Sequence, residues 1–375
     1  MGDANENRRE TTQKLYTRPT MNDQKNEQGA IGVGVVGFGM ASRVFHLPTI
    51  AAVSELRLSA IVQRRGDESR ASYPQAKIVR SIDELLAEPD IKLVVVATPN
   101  ETHFAFARQS LLANKHVVVD KPFTIHAHEA EELAALARKR GRILSVFQNR
   151  RYDGDFLTVR DLVSKKALGR LVSFEAYYDR FRPAVRNRWR EQPGEGTGIL
   201  YDLGPHLIDQ ALELFGTPES VDARILRERD GAATDDAFEL HLGYPALRVH
   251  LGATMLAAAQ RPRFYLRGTT GAFVKYGVDP QEAALVAGDH YASPNWGCEK
   301  EEAWGTVFSM ETGDKSIHQT IATQHGDYRN YYRDIGTAIL SNTQPSATAE
   351  HGVRVMRVIE LALASHRENR ALSWQ

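Results

Sequence analysis

Between residues 31 and 147, short β-branched runs alternate with segments of helical pattern. The runs at 31–36, 56–63, 93–97, 116–119 and 143–147 are apolar on consecutive positions, as expected of strands covered on both faces. Alternation of such strands with helices predicts βαβ units and a parallel sheet. Within the series, 129–140 places Leu133, Ala134, Leu136 and Ala137 at helical spacing, with Gly141 positioned as a C-terminal cap. Beyond Arg150 the texture changes. The runs at 171–178, 237–242 and 247–251 are longer and partly alternating, which predicts a mostly antiparallel sheet with one face solvated or used for association. A helix is expected over 205–215, opened by Pro205 in its first turn and stopped by Gly216. A last amphipathic helix is expected over 347–369, with Val353, Val355, Met356, Ile359, Leu361 and Leu363 as its apolar content. Residues 1–29 are rich in Asn, Arg, Glu, Gln and Lys without apolar periodicity and read as a tail outside the fold. The expectation is an α/β chain with one domain over 30–150 and a second over 151–375.

Composition supports two domains: 375 residues with 42% hydrophobic content exceed the roughly 100–200 residues of a typical single domain. Forty-seven basic residues balance 47 acidic ones, so no overall field favours nucleic acid or an anionic membrane, and a small ligand is the expected partner. Cys298 is the sole cysteine, which excludes an internal disulfide framework and a multi-cysteine metal site. No apolar run approaches the ~20 residues that span a bilayer, and the N-terminus lacks the apolar core of a secretion signal. A cytoplasmic protein is expected, in which the sequon Asn100-Glu101-Thr102 is a chance match.

Gly37-Phe38-Gly39-Met40-Ala41-Ser42 follows the first strand and is nearly G-x-G-x-x-G. A dinucleotide site needs a tight strand-to-helix turn whose amides approach a pyrophosphate, with a small residue where helix meets strand. Serine meets the last need. An acidic residue ordinarily ends the second strand and bonds the ribose of NAD. Here that strand ends in Gln63, Arg64 and Arg65, which suits the 2′-phosphate of NADP, with NAD as the alternative. Later strands end in Thr98-Pro99-Asn100 and in Asp120-Lys121-Pro122, at the carboxyl edge where open α/β sheets bind ligands. Downstream, Asp202 and His206 stand four apart with Asp209 beyond, a spacing that puts them on one helical face. A histidine beside a carboxylate gains basicity and orientation, as proton transfer at a carbinol requires. A metal pair or helix caps are the other readings of this spacing; no second ligand cluster accompanies it, so no metal is expected.

Together, the turn at 37–42, Asp120-Lys121-Pro122 and Asp202-x-x-x-His206 resemble the Gfo/Idh/MocA family of NAD(P)-dependent sugar and polyol dehydrogenases. The resemblance spans about 31–369. The stretches 147–156, 201–214 and 273–282 resemble the branch containing NADP-dependent scyllo-inositol dehydrogenases. It implies an N-terminal Rossmann domain, a C-terminal α/β domain with a large, mostly antiparallel open sheet, and association as a homodimer or homotetramer. It also implies that Lys121 contacts substrate and nicotinamide, that Asp202 and His206 are the catalytic partners, and that Thr98, Pro99 and Asn100 line the cofactor. Asp120 departs from the family's usual glutamate. Further candidate cofactor contacts are His103, Pro122, Asn149, Trp189 and Arg190. The candidate substrate contacts are Lys121, Arg150, Asp153, Asp202 and His206, for a hydroxyl-rich sugar or cyclic polyol. In this reading His206 exchanges the hydroxyl proton, Asp202 holds its imidazole and Lys121 stabilises the developing alkoxide. Two alternatives stay open: a non-catalytic dinucleotide or sugar sensor, and a reductase of a non-sugar substrate.

Overall fold

The computed structural model describes residues 29–310 and 316–374; apart from Gly29, the tail expected over 1–29 lies outside them. The first sheet comprises β1 (Ile31–Val36), β2 (Leu56–Val62), β3 (Lys77–Val79), β4 (Ile91–Val96), β5 (His116–Val119) and β6 (Leu144–Val146). Their order is β3-β2-β1-β4-β5-β6, and every pairing is parallel. All of β1 is buried, the condition its unbroken apolar run implied. β3 had no such signature: it is three residues long and opens with an exposed lysine. Strand order reverses between β1 and β4, the switch point at which the carboxyl ends of an open sheet leave a crevice.

The second sheet takes β7 (Leu171–Tyr177), β8 (Ser220–Leu226), β9 (Ala237–Tyr244), β10 (Leu247–Thr254), β11 (Phe264–Gly268), β12 (Gly271–Lys275), β13 (Gly305–Met310), β14 (Ser316–Ile321) and β15 (Leu372–Ser373). Among the described residues its order is β14-β13-β12-β11-β7-β10-β9-β8-β15. The β7–β10 pairing is parallel and the others are antiparallel. In β8 and β9 the two faces differ in burial, so helices cover one face while the other stays open. No described helix is long and apolar enough to cross a membrane.

The helix expected from Pro205 begins earlier, at Gly198, and runs to Phe215 with Pro205 inside it. Asp235 explains the early start. Its carboxylate accepts the Leu200 N–H at 2.8 Å and its carbonyl accepts the Ile199 N–H, satisfying first-turn donors that proline was expected to remove. Gly198 is required there: its φ is +88°, and a Cβ would lie 1.9 Å from Asp235 Oδ1.

Two C-terminal helices tie the sheets together. Arg329–Ser341 returns to the first sheet, where Tyr331, Tyr332 and Ile335 are buried with Val33, Val35 and Leu58. Tyr331 also shares a hydrogen bond with Ser145 Oγ at 2.7 Å. Ala349–Glu368, the helix expected over 347–369, is capped by Thr348 and accepts the Ala127 N–H on Glu360 Oε1 at 2.8 Å.

Candidate active site

At the end of β1, Gly37 has φ +104°, and a Cβ there would come 2.7 Å from the Ala97 carbonyl. Only glycine lets the turn pass β4 so closely. Gly39 has open space where a side chain would project, and Met40 is exposed, so the backbone between them is free to meet a ligand. Ser42 is fully buried and opens a π-helical turn, Ser42–His46; its Oγ has no hydrogen-bond partner. A cradle that a Cβ would close, an accessible backbone and a small buried third residue together fit a dinucleotide pyrophosphate.

The loop after β2 is ordered by Gln63. Its amide donates to the Arg65 carbonyl and the Glu68 carboxylate and accepts the Ser69 N–H. Arg64 and Arg65 are left exposed. Arg80, at the end of β3, donates from Nη1 to the carbonyls of Gln63 at 2.9 Å and Gly66 at 2.5 Å. Arg80 could not be picked out beforehand, because the three-residue strand before it shows no apolar run.

The turns after β4 and β5 are pinned together by His103. Its buried ring reaches the Pro122 carbonyl with Nδ1 at 2.7 Å and the Thr98 carbonyl with Nε2 at 2.9 Å. Asn100 donates to the Gly196 carbonyl at 2.7 Å, joining the β4 turn to the loop before the Gly198–Phe215 helix. Both side chains, expected as cofactor contacts, have protein partners here: both nitrogens of His103 and the amide nitrogen of Asn100. Asn149 is buried just past β6.

Asp120 is buried and held at a pKa of about 2: neighbouring His46, Lys121 and His103 outweigh the upward push of burial. His46 Nε2 stands 3.8 Å from its Oδ1, while His46 Nδ1 meets the Tyr332 hydroxyl at 2.6 Å. The shorter side chain replacing glutamate thus stays ionised and accepts the Lys121 N–H at 2.8 Å.

Lys121 reaches across from β5 to the Gly198–Phe215 helix, where Nζ donates to the Asp202 carbonyl at 2.8 Å and to Asp202 Oδ1 at 3.1 Å. Arg190 stands 3.5 Å from the same oxygen and lies over the Trp189 ring. Burial would raise the Asp202 pKa; Lys121 and Arg190 override it and hold the carboxyl well below its usual range. The expected roles change accordingly. Asp202 clamps Lys121, and His206, one helical turn on, keeps Nδ1 without a hydrogen-bond partner. Burial, then Lys121 and Arg150, push the His206 pKa well below its ordinary value despite Asp202 nearby. The imidazole is therefore neutral at physiological pH, the reverse of the raised basicity expected from the spacing. Neither residue caps the helix, since Thr197 holds that position.

Asp209, on the same helical face, belongs to a structural pair. Arg151 grips it with two bonds of 2.7 Å and reaches Glu213 as well. Arg150 pairs with Glu282 and faces Asp153 Oδ2 and the Tyr328 hydroxyl, each at 3.4 Å. Burial with Asp279 and Asp155 close by outweighs Arg150 and keeps the Asp153 carboxyl well above its usual range. Glu282, Arg263, Tyr178 and Tyr328 join the site without having been picked out as contacts; Glu282 had appeared only within a family-like stretch. Among the described residues no group of three His, Cys, Asp or Glu side chains is arranged to hold a metal.

Residues 31–148 match the family model described as oxidoreductase family, NAD-binding Rossmann fold, and 160–373 match that described as oxidoreductase family, C-terminal alpha/beta domain. The chain belongs to the Gfo/Idh/MocA family. Among Gfo/Idh/MocA relatives, it is 43% identical over 342 residues to the uncharacterized oxidoreductase YdgJ of Escherichia coli, covering 91% of this chain and 98% of that one. It is 39% identical over 342 residues to the scyllo-inositol 2-dehydrogenase (NADP(+)) IolW of Bacillus subtilis, covering 91% and 95%. The solved structure of yvaA from Bacillus subtilis superposes with a TM-score of 0.90 at 38% identity, covering 94% of this chain and all of that one. As a Gfo/Idh/MocA protein the chain is an oxidoreductase with an NAD-binding Rossmann domain.

Proposed function

We propose that this oxidoreductase interconverts a secondary alcohol and a ketone on a sugar or cyclic polyol, using NADP(H). The observation that carries the reading is the Lys121–Asp202 clamp one helical turn from His206, whose buried Nδ1 has no hydrogen-bond partner. The dinucleotide supplies hydride acceptance or donation when bound. Residues 37–42 would hold its pyrophosphate, and Arg64 and Arg65 its 2′-phosphate.

Lys121 is already aligned by Asp202, so its ammonium stabilises the oxygen on which negative charge develops. His206, neutral because it is buried among cations, accepts the hydroxyl proton during oxidation. During reduction the proton returns from the Lys121–His206 pair. Arg190, beside Asp202 and over the Trp189 ring, adds a second cation next to Lys121. The resemblance to IolW supports a cyclic polyol as substrate and NADP as cofactor. The open face of the second sheet supports a homo-oligomer.

The test is a panel of inositols, inososes and aldoses assayed with NADP(H) and NAD(H) in parallel. Turnover of polyols or their ketones with preference for NADP(H) is expected. Dinucleotide binding with no turnover of any member would favour the sensor reading instead.

A further inference from the structure

A cavity of about 220 Å³ is lined by Arg150, Tyr178, Arg180, Arg261, Arg263 and Glu282 among others. It adjoins the His206 face of the Gly198–Phe215 helix through Gln210. That side chain donates to the Arg150 carbonyl at 2.9 Å and accepts from Arg263 Nη2 at 2.8 Å. Three of the four guanidiniums have carboxylates beside them. Arg150 faces Glu282 and Asp153, Arg261 faces Asp179 and Glu239, and Arg263 faces Asp155. Arg180 differs. It is half-buried, its backbone is fixed to Thr254 and Ala257, and its guanidinium has no hydrogen bond or ion pair among the described residues. Further along the loop, Arg182 is held below its ordinary pKa by burial and by Arg180, Arg186 and Arg188. Cations crowd this mouth, and Glu282 and Asp202, carboxylates within electrostatic reach of Arg180, are bonded to Arg150 and Lys121 instead.

A half-buried guanidinium beside a cleft with no direct carboxylate contact leaves donors that a bound anion can accept from. We propose that the substrate carries an oxyanion, a carboxylate or a phosphate on the sugar or polyol, which Arg180 receives in this cavity. The inference rests on the dehydrogenase reading above and narrows its substrate class. It also bears on His206, which Lys121, Arg150 and Arg263 hold down after burial has done the most. An anion among those charges offsets them and brings the imidazole back toward a basicity useful for proton transfer.

The experiment compares kcat/KM for matched pairs, glucuronate with glucose and an inositol monophosphate with myo-inositol, in the wild type and in Arg180→Gln and Arg180→Lys. One charged hydrogen bond predicts an anionic-to-neutral ratio of about tenfold or more. Arg180→Gln should bring the ratio near unity, while Arg180→Lys keeps part of it and the KM for NADP+ stays in place. The two pairs tell carboxylate from phosphate. A wild-type ratio near one, or a ratio that Arg180→Gln leaves intact, overturns the proposal. So does a loss that falls on the KM for NADP+, which would assign Arg180 to the cofactor. Should no member of the panel be oxidised, calorimetric titration separates the two readings. Tighter binding of the anionic members that Arg180→Gln abolishes supports this inference against the dehydrogenase reading, and equal binding of charged and neutral members overturns it.

Discussion

At the ends of β1, β4 and β5 the cleft wall is mostly backbone. Gly37 passes the Ala97 carbonyl, His103 spans two carbonyls, and β1 behind them is apolar and buried throughout. Across the cleft the wall is made of charged side chains, with Arg150, Asp153, Arg263, Asp155 and Asp279 all buried. A dinucleotide phosphate is met well by fixed amides, which are present whatever the neighbouring sequence. A varied substrate is met by side chains, and each buried charge then needs a partner. The first wall tolerates change in residues and little in backbone; the second has the opposite sensitivity.

The sharpest break in this comparison is expected at the groups that face both walls. Lys121→Ala and His206→Ala should each lower kcat by about 10²–10⁴-fold, the usual contribution of a general acid or base. Near-normal turnover in both would remove the proton-transfer assignment. Next in size is Arg151→Met, which strands Asp209 in a site where both side chains are 2% exposed. Breaking such a buried pair costs about 3–5 kcal/mol, measurable as a fall in chemical denaturation midpoint. A loss below about 1 kcal/mol would mean that water solvates Asp209 in place of the guanidinium.

On the backbone wall, Arg64→Ala combined with Arg65→Ala should raise the KM for NADP about tenfold or more, the value of one hydrogen bond to a charged group, and leave the KM for NAD little changed. Equal weakening would show that these arginines do not read the 2′-phosphate.

The smallest effect tells the walls apart by sign. His116, the first residue of β5, is pushed down to a pKa of about 4 by burial, then by Arg142, so the unfolded chain takes up its proton first as pH falls. Its contribution is lost between about pH 6.5 and 4. Asp279, across the cleft, is pushed up to about 6 by burial and Asp155. The folded chain holds that proton longer, and stability is lost as pH rises from about 4 to 6. His116→Gln should therefore flatten the rise of stability with pH and Asp279→Asn should steepen it. Each changes the slope by at most about 1.4 kcal/mol per pH unit, less at the partly solvated His116. Urea denaturation at pH 4, 5 and 6 measures both slopes.

The same division governs what could be read before the fold was seen. β1 and the valine-rich cores of β4 and β5 were legible because a stretch buried on both faces must be apolar. Gly37 was legible because its turn admits no side chain. Lys121 and the Asp202–His206 spacing were legible as chemistry, yet their pairing was not. The Asp202 carboxylate went to a lysine from the other sheet, a choice that helical spacing alone cannot reveal. Arg150 and Glu282 stand 132 positions apart, and each looks like a solvated surface residue until the second sheet brings them together. Pro205 misled for a local reason. Asp235, distant in sequence, supplied the cap that let the helix begin before the proline.

The return of Tyr331 and Tyr332 to the first sheet bears on how the chain can be divided. Those rings are wholly buried against β1 and its neighbours, so a fragment ending near residue 150 would bare an aromatic-sized hollow beside its central strand. The nucleotide half then has no finished core of its own during synthesis. It must wait, open on one side, until almost the last helices have emerged, and a gene cut at the apparent boundary should yield two insoluble products.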